Sequence, residues 1–177
     1  MGLTSWLRRA WRARDRRVVA LGLRGAHERV VAALPPGAPP VAQEAGFSVF
    51  RLPAGGLTFY VTCLSGSDER RPLWPHHYAG TAGVLFVVDA DAAELLPAVA
   101  QELASLAADR QLEGVPVAVL FTSASPAAVA EPACSELAAR LALRELLAAP
   151  PPAARQHVAT GDPAAALAFL ARHSRPL

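Results

Sequence analysis

Lysine, asparagine and isoleucine are absent from the 177 residues, and all 17 basic side chains are arginine. Without lysine there is no ammonium to hold a phosphate or to form a Schiff base. Without asparagine there is no short carboxamide to read a nucleobase. A genome-wide GC bias would produce the same composition with no functional cause. Cysteine is scarce too: Cys63 and Cys134 are the only two. They suit neither a disulfide framework nor a metal-ligand cluster, and read as thiols of a reducing compartment. No apolar run approaches the roughly 20 residues of a membrane-spanning helix, and the arginine-rich start lacks the apolar stretch of a secretory signal. The expectation is a cytoplasmic protein, or one peripheral to a membrane.

The hydrophobic fraction is 53% against 18% charged, which describes a packed globular chain rather than a disordered one. The net charge of +2 conceals an asymmetry. Arg8, Arg9, Arg12, Arg14, Arg16 and Arg17 against Asp15 make the first 17 residues strongly basic, and the remainder is slightly acidic. A basic arm on an acidic body suits a surface-binding tail better than a nucleic-acid-binding domain. Leu3, Trp6, Leu7, Ala10 and Trp11 recur at helical spacing, so both tryptophans and both leucines share one face and the arginines the other. Residues 1–16 are therefore expected to form an amphipathic helix on anionic lipid, and residues 17–177 the folded domain. The alternative is that this helix packs on its own domain or on a partner. Gly2 is placed for N-myristoylation, although Trp6 stands where Ser or Thr is usual.

Beyond the arm, apolar strand-like runs alternate with helical stretches. Val18–Leu23 reads as a strand, His27–Leu34 as a short helix, and Phe47–Leu52 with Leu57–Leu64 as a hairpin across Pro53–Gly56. Val84–Val88 and Val115–Phe121 are continuous apolar runs of the kind found in buried central strands. Ala92–Ala108, Glu131–Ala148 and Pro163–Arg172 read as helices, with Leu95, Val99, Leu103 and Leu106 of the first facing inward. A weak strand is expected around Gln156–Ala159. This alternation predicts an α/β fold with a mostly parallel sheet covered on both faces.

One segment is more specific. Arg71-Pro72-Leu73-Trp74-Pro75-His76-His77-Tyr78, followed by Thr81, Gly83 and Val84-Leu85-Phe86-Val87-Val88-Asp89, resembles the second switch and following strand of Arf-family small GTPases. Gly22, Gly46-Phe47, Gly114-Val115-Pro116 and Ala159-Thr160-Gly161-Asp162 fall in register with the same family over nearly the whole chain. The Met-Gly-Leu start, Gly46-Phe47-Ser48, Leu57-Thr58-Phe59 and Leu64-Ser65-Gly66 most resemble the Arf-like branch that recruits the BBSome coat to ciliary membranes. The resemblance implies a P-loop NTPase-like small GTPase fold: a six-stranded, mostly parallel sheet flanked by helices. It also implies GTP or GDP with magnesium as ligand, a membrane surface with effectors or coat subunits as partners, and a role in trafficking at a ciliary base or the Golgi.

The residues depart from that family where nucleotide chemistry is done. A phosphate-binding loop needs glycines for backbone approach, a lysine for charge and a hydroxyl for magnesium. The corresponding loop reads Gly22-Leu23-Arg24-Gly25-Ala26-His27-Glu28-Arg29, with His27 for the second glycine, Glu28 for the lysine and Arg29 for the hydroxyl residue. A carboxylate close to a phosphate is repelled by about 4 kcal/mol per close unit-charge pair at an intermediate dielectric. Arg24 or Arg29 is the only cation on hand to substitute. The first-switch threonine aligns with Glu44, the aspartate of Asp-x-x-Gly with Cys63, its glycine with Gly66, and the water-positioning glutamine with Ser67. The guanine-reading Asn-Lys-x-Asp positions read Thr122-Ser123-Ala124-Ser125, so no carboxylate faces the base. GC bias would turn lysine into arginine, but it does not explain losing these aspartates.

On the effector side the aromatic triad keeps Phe47, while its other members align with Thr62 and His77. Trp74 and Tyr78 stand beside them and serve either a partner surface or the core. No metal site and no catalytic residue is expected. Adjacent His76 and His77 diverge on a helix rather than converge on one ion, and Ser65-Gly66-Ser67 lacks the Gly-x-Ser-x-Gly elbow. The sequence thus leads to an Arf-like pseudo-GTPase acting as a binding module, with a slow or non-standard nucleotide hydrolase as the alternative.

Overall fold

The computed structural model describes residues 15–24, 40–143 and 157–174. The expected membrane arm with Gly2, Leu3, Trp6, Leu7 and Trp11 lies outside these residues, as do Gly25, His27, Glu28, Arg29 and the expected helix His27–Leu34.

Seven strands among the described residues form one sheet: β1 (Asp15–Gly22), β2 (Ala42–Glu44), β3 (Phe47–Ala54), β4 (Leu57–Leu64), β5 (Gly83–Asp89), β6 (Val117–Thr122) and β7 (His157–Thr160). The order is β2-β3-β4-β1-β5-β6-β7. β1 pairs in parallel with β4 and β5, as β5 does with β6 and β6 with β7. The β2–β3 and β3–β4 pairs are antiparallel. The sheet has one strand more than the six expected. β2 is short, and its Gln43 and Glu44 are exposed, so no apolar alternation announces it. The other end of β1 also differs from the boundary drawn above, because Asp15 and Arg16 are strand residues continuous with the sheet.

Alternation of side chains along β1 builds two cores. Val19 and Leu21 face a layer with Phe86, Val88, Val119 and Phe121, covered by helix α1 (Leu96–Ala108) and helix α2 (Glu131–Arg140). Val18 and Ala20 face the other layer with Phe59, Val61, Leu85 and Leu120, covered by helix α3 (Pro163–His173). β5 and β6 are buried on both faces, which explains their uninterrupted apolar composition. In α1 the buried side chains are Leu96, Val99, Leu103 and Leu106. Leu95 packs against the same core as expected, but from a short 3-10 turn just before the helix. α3 starts where the Asp162 side chain accepts from the Ala164 N–H at 2.8 Å and Pro163 occupies the first turn.

The β3–β4 hairpin turns through Gly55 and Gly56, at φ +58° and +75°. A two-residue turn that keeps the strands' twist needs positive φ at both positions, which glycine supplies without strain. Pro53, assigned above to the turn, sits inside β3 opposite Thr58. After β4 the chain forms a 3-10 helix, Arg71–His77.

Candidate functional site

The carboxyl ends of parallel strands are where an α/β sheet offers a crevice, and β1 and β4 meet there at two glycines. A Cβ built on Gly66 would stand 1.8 Å from the Gly22 carbonyl oxygen and 3.0 Å from Leu23 Cα, so only glycine fits. The Arg24 N–H points at the Gly66 carbonyl at 3.4 Å, and Arg24 itself has φ +33°, a conformation that costs a non-glycine residue energy. Gly22, Arg24 and Gly66 are thus brought together, and Ser67 follows at once, its N–H 3.5 Å from Ser65 Oγ. Glu44 is not brought in. It ends the outermost strand on the same edge of the sheet, three strand positions from β1, roughly 14 Å away at the usual strand spacing.

Cys63 stands close to this junction, near the end of β4. Cys63, which the resemblance aligns with an aspartate, is 1% exposed, and burial pushes its thiol up to about 12. A neutral, buried sulfur is a poor ligand for a hard cation that wants oxygen. Among the described residues no group of three or more His, Cys, Asp or Glu side chains could hold a metal ion.

The loop after β6 is internally satisfied. Thr122 Oγ1 donates to the Val88 carbonyl at 3.4 Å, and the Ala90 N–H donates to the Thr122 carbonyl at 2.8 Å. Ser123 Oγ donates to Asp91 Oδ1 at 2.6 Å, the Ala124 N–H to Asp91 Oδ2 at 2.8 Å, and the Ser125 N–H to Ser123 Oγ at 2.9 Å. Ser125, which the resemblance aligns with the base-reading aspartate, offers a hydroxyl and no carboxylate. The neighbouring turn is equally closed. The Asp162 N–H donates to Thr160 Oγ1, and a Cβ on Gly161 would lie 2.1 Å from the Val129 carbonyl oxygen. Asp91 was not singled out in the sequence. Its only advance signal is the Asp-x-Asp spacing with Asp89 at a strand end, where Asp89 Oδ1 accepts from the Asp91 N–H at 3.0 Å.

The third region is the outer face near the β2–β3 turn. Phe47 and His77 form a tilted ring pair with centroids 5.5 Å apart. They line a small hollow with Leu64, Arg70, Leu73 and Trp74. Leu73 is 44% exposed, although the sequence reading did not select it. Of the two roles open to Trp74 and Tyr78 the structure takes the core, because each is only 4% exposed. The Trp74 ring stands edge-on to Phe86 at 6.5 Å, and its indole N–H donates to the Ser65 carbonyl at 3.0 Å. Burial, with Asp109 and Glu102 nearby, raises the Tyr78 phenol above its ordinary range. Thr62 is buried as well. Phe47 and His77 are the half-exposed residues of this group, and burial, Arg17 and His76 together lower the His77 pKa, favouring a neutral imidazole.

Comparison with known proteins bears on most of the chain. A sequence model of the ADP-ribosylation factor family matches residues 3–150. ADP-ribosylation factor-like protein 4D of Homo sapiens is 40% identical over 103 residues, covering 56% of this chain and 50% of that protein. The chain therefore spans about half the length of that relative. ADP-ribosylation factor-like protein 1 of Caenorhabditis elegans is 32% identical over 129 residues, 67% of either chain. Among solved structures, the Arl6 BBS3 small GTPase of Trypanosoma brucei, with the bound nucleotide analogue GppNp, superposes with a TM-score of 0.65. It is 21% identical, and the match covers 90% of this chain and 99% of the other, so it speaks for the fold. The sheet order, the Gly22–Gly66 contact and a family match over most of the length agree: this chain belongs to the ADP-ribosylation factor family of small GTPases.

Proposed function

We propose that this Arf-like protein is a membrane-attached pseudo-GTPase, a binding module for membrane trafficking or for recruiting coat or cargo, which has lost standard GTP binding and hydrolysis. The observation that carries this reading is Cys63, a buried neutral thiol at the position of the magnesium-linked carboxylate. It is supported by Ser125, which stands where a base-reading carboxylate belongs, and by the substitutions His27, Glu28 and Arg29 in the phosphate loop. Calorimetry with GTP and GDP in the presence of magnesium, with mass spectrometry of any copurifying ligand, tests it. Submicromolar binding would reject it.

In this reading partners meet the face of Phe47, Leu73 and His77, and lipid meets Gly2, Leu3, Trp6, Leu7 and Trp11. A peripheral attachment is compatible with the described residues, among which no helix is long and apolar enough to cross a membrane. The sites in view are the cytoplasmic face of the ciliary base or of the Golgi. Liposome sedimentation of the chain carrying Trp6→Glu and Trp11→Glu tests the arm, since unchanged binding would remove it from the scheme.

A second reading keeps a slow, divergent nucleotide hydrolysis with Arg24 or Arg29 replacing the lysine. Its support is the strained Arg24 backbone, which brings an arginine to the Gly22–Gly66 junction. Single-turnover GTP and ATP assays in which Arg29→Ala behaves like the parent, both at the buffer rate, would end it.

A further inference from the structure

The loop at the guanine-reading position is held by a carboxylate belonging to the chain itself. Asp91 leaves the end of β5, its own N–H bonded to Asp89 Oδ1, and its two oxygens reach across 32 and 33 residues to Ser123 Oγ and the Ala124 N–H. Ser123 Oγ passes the connection on by accepting from the Ser125 N–H. A serine hydroxyl can do both, because it carries one donor and two acceptor lone pairs. Hydrogen bonds to an ionised group are shorter and stronger than neutral ones, and those to Asp91 are 2.6 and 2.8 Å long. Two backbone-side contacts, Thr122 to Val88 and Ala90 to Thr122, close the same junction between β5 and β6.

We infer that Asp91 is a positioning residue that orders the Thr122–Ser125 loop from within, doing for this loop what a bound base would do in a nucleotide-dependent relative. The inference rests on the pseudo-GTPase reading for its second half only. A ligand stabilises the state it binds; a covalently built-in acceptor confers order that needs no ligand. The loop's order is then independent of nucleotide and dependent on one carboxylate. Asp91 is exposed, so the effect is local and does not decide whether the domain folds.

Hydrogen–deuterium exchange on the full chain, without added nucleotide, tests this. In Asp91→Ala the amides of residues 122–125 are expected to exchange about tenfold faster, with peptides from the middle of β5 and β6 unchanged. Asp91→Asn keeps one acceptor oxygen and is expected to fall between. Ser123→Ala, which leaves β5 untouched, is expected to release the Ser125 amide. Exchange indistinguishable from the parent in both Asp91→Ala and Ser123→Ala would overturn the inference. Adding GTP or GDP with magnesium is expected to slow exchange in none of these proteins. If nucleotide restored protection to Asp91→Ala, ligand-independence and the pseudo-GTPase reading would fall together, leaving Asp91 only as an anchor.

Discussion

The Arg17 guanidinium donates to the His77 carbonyl at 2.8 Å and to the Ala79 carbonyl at 2.9 Å, fastening the end of the Arg71–His77 helix to the first strand across 60 residues of chain. The bonds are charge-assisted, and the cation meets carbonyls that have no partner within the helix. Other contacts hold the same segment: Arg71 with Asp68 at 2.7 Å and with Glu102 at 3.4 Å, and Gln111 Nε2 with the Pro75 carbonyl at 3.3 Å. Arg17→Ala is expected to cost about 1–3 kcal/mol in urea unfolding and to raise amide exchange over residues 77–82. Arg17→Lys, a single point charge without the planar fork, should recover only part of this.

Trp74 separates packing from hydrogen bonding. Trp74→Ala empties a core position against Phe86 and should destabilise by about 3–5 kcal/mol. Trp74→Phe keeps most of the apolar volume but leaves the Ser65 carbonyl without the indole donor, and about 1–3 kcal/mol is expected there. Chemical denaturation of both variants checks the pair: equal losses would contradict the packing against Phe86, and no loss in Trp74→Phe would contradict the hydrogen bond's role.

Cys63 offers a test of restored chemistry. Cys63→Asp installs the carboxylate that the resemblance implies, but in a site that is 1% exposed. An unpaired buried charge is penalised by about 3 kcal/mol or more, so the variant should unfold at lower denaturant and still fail to bind GTP with magnesium in calorimetry. In the parent protein the thiol should resist alkylation at pH 8 in intact-mass measurements. Its raised pKa also sets a sign: the unfolded thiol ionises near 9 and the folded one near 12, so stability falls as pH rises through that interval.

His77 should report acid. Its pKa is lowered on folding by burial, Arg17 and His76, so between the folded value and about 6.5 the unfolded state binds more protons. Its contribution to stability is therefore intact above about pH 6.5 and is lost as pH falls toward the folded value. NMR titration of the His77 ring, with His77→Phe as control, checks the direction; a pKa above the free-histidine value would contradict it.

Gly66→Ala should be severe, costing more than about 3 kcal/mol, because the added carbon overlaps the Gly22 carbonyl oxygen and backbone on both sides must move. Gly56→Ala has open space around it but retains φ +75°, so roughly 1 kcal/mol is expected. Thermal melts of the two proteins distinguish collision from backbone strain.

Most of the sheet was legible because burial on both faces leaves an unmistakable composition, as in Val84–Val88 and the apolar run of β6. The short strand β2 was not, since its exposed polar residues carry no period. For Trp74 and Tyr78, an aromatic beside a switch has the same local sequence whether it faces solvent or the core, and tertiary packing decided it. Arg17 and Asp91 were invisible for a different reason. Each acts through two hydrogen bonds to partners tens of residues away, and such links impose no spacing on the chain.

The Gly22–Gly66 contact changes how a family motif is to be counted. Among the substituted positions of this site, the two glycines look like surviving fragments of nucleotide machinery. Their proximity is instead a steric demand of two strands ending side by side, and it would persist in a protein that never met a phosphate. In a chain like this one, glycines tally the architecture and side chains tally the chemistry, so a profile that weighs both together scores kinship while remaining silent about activity.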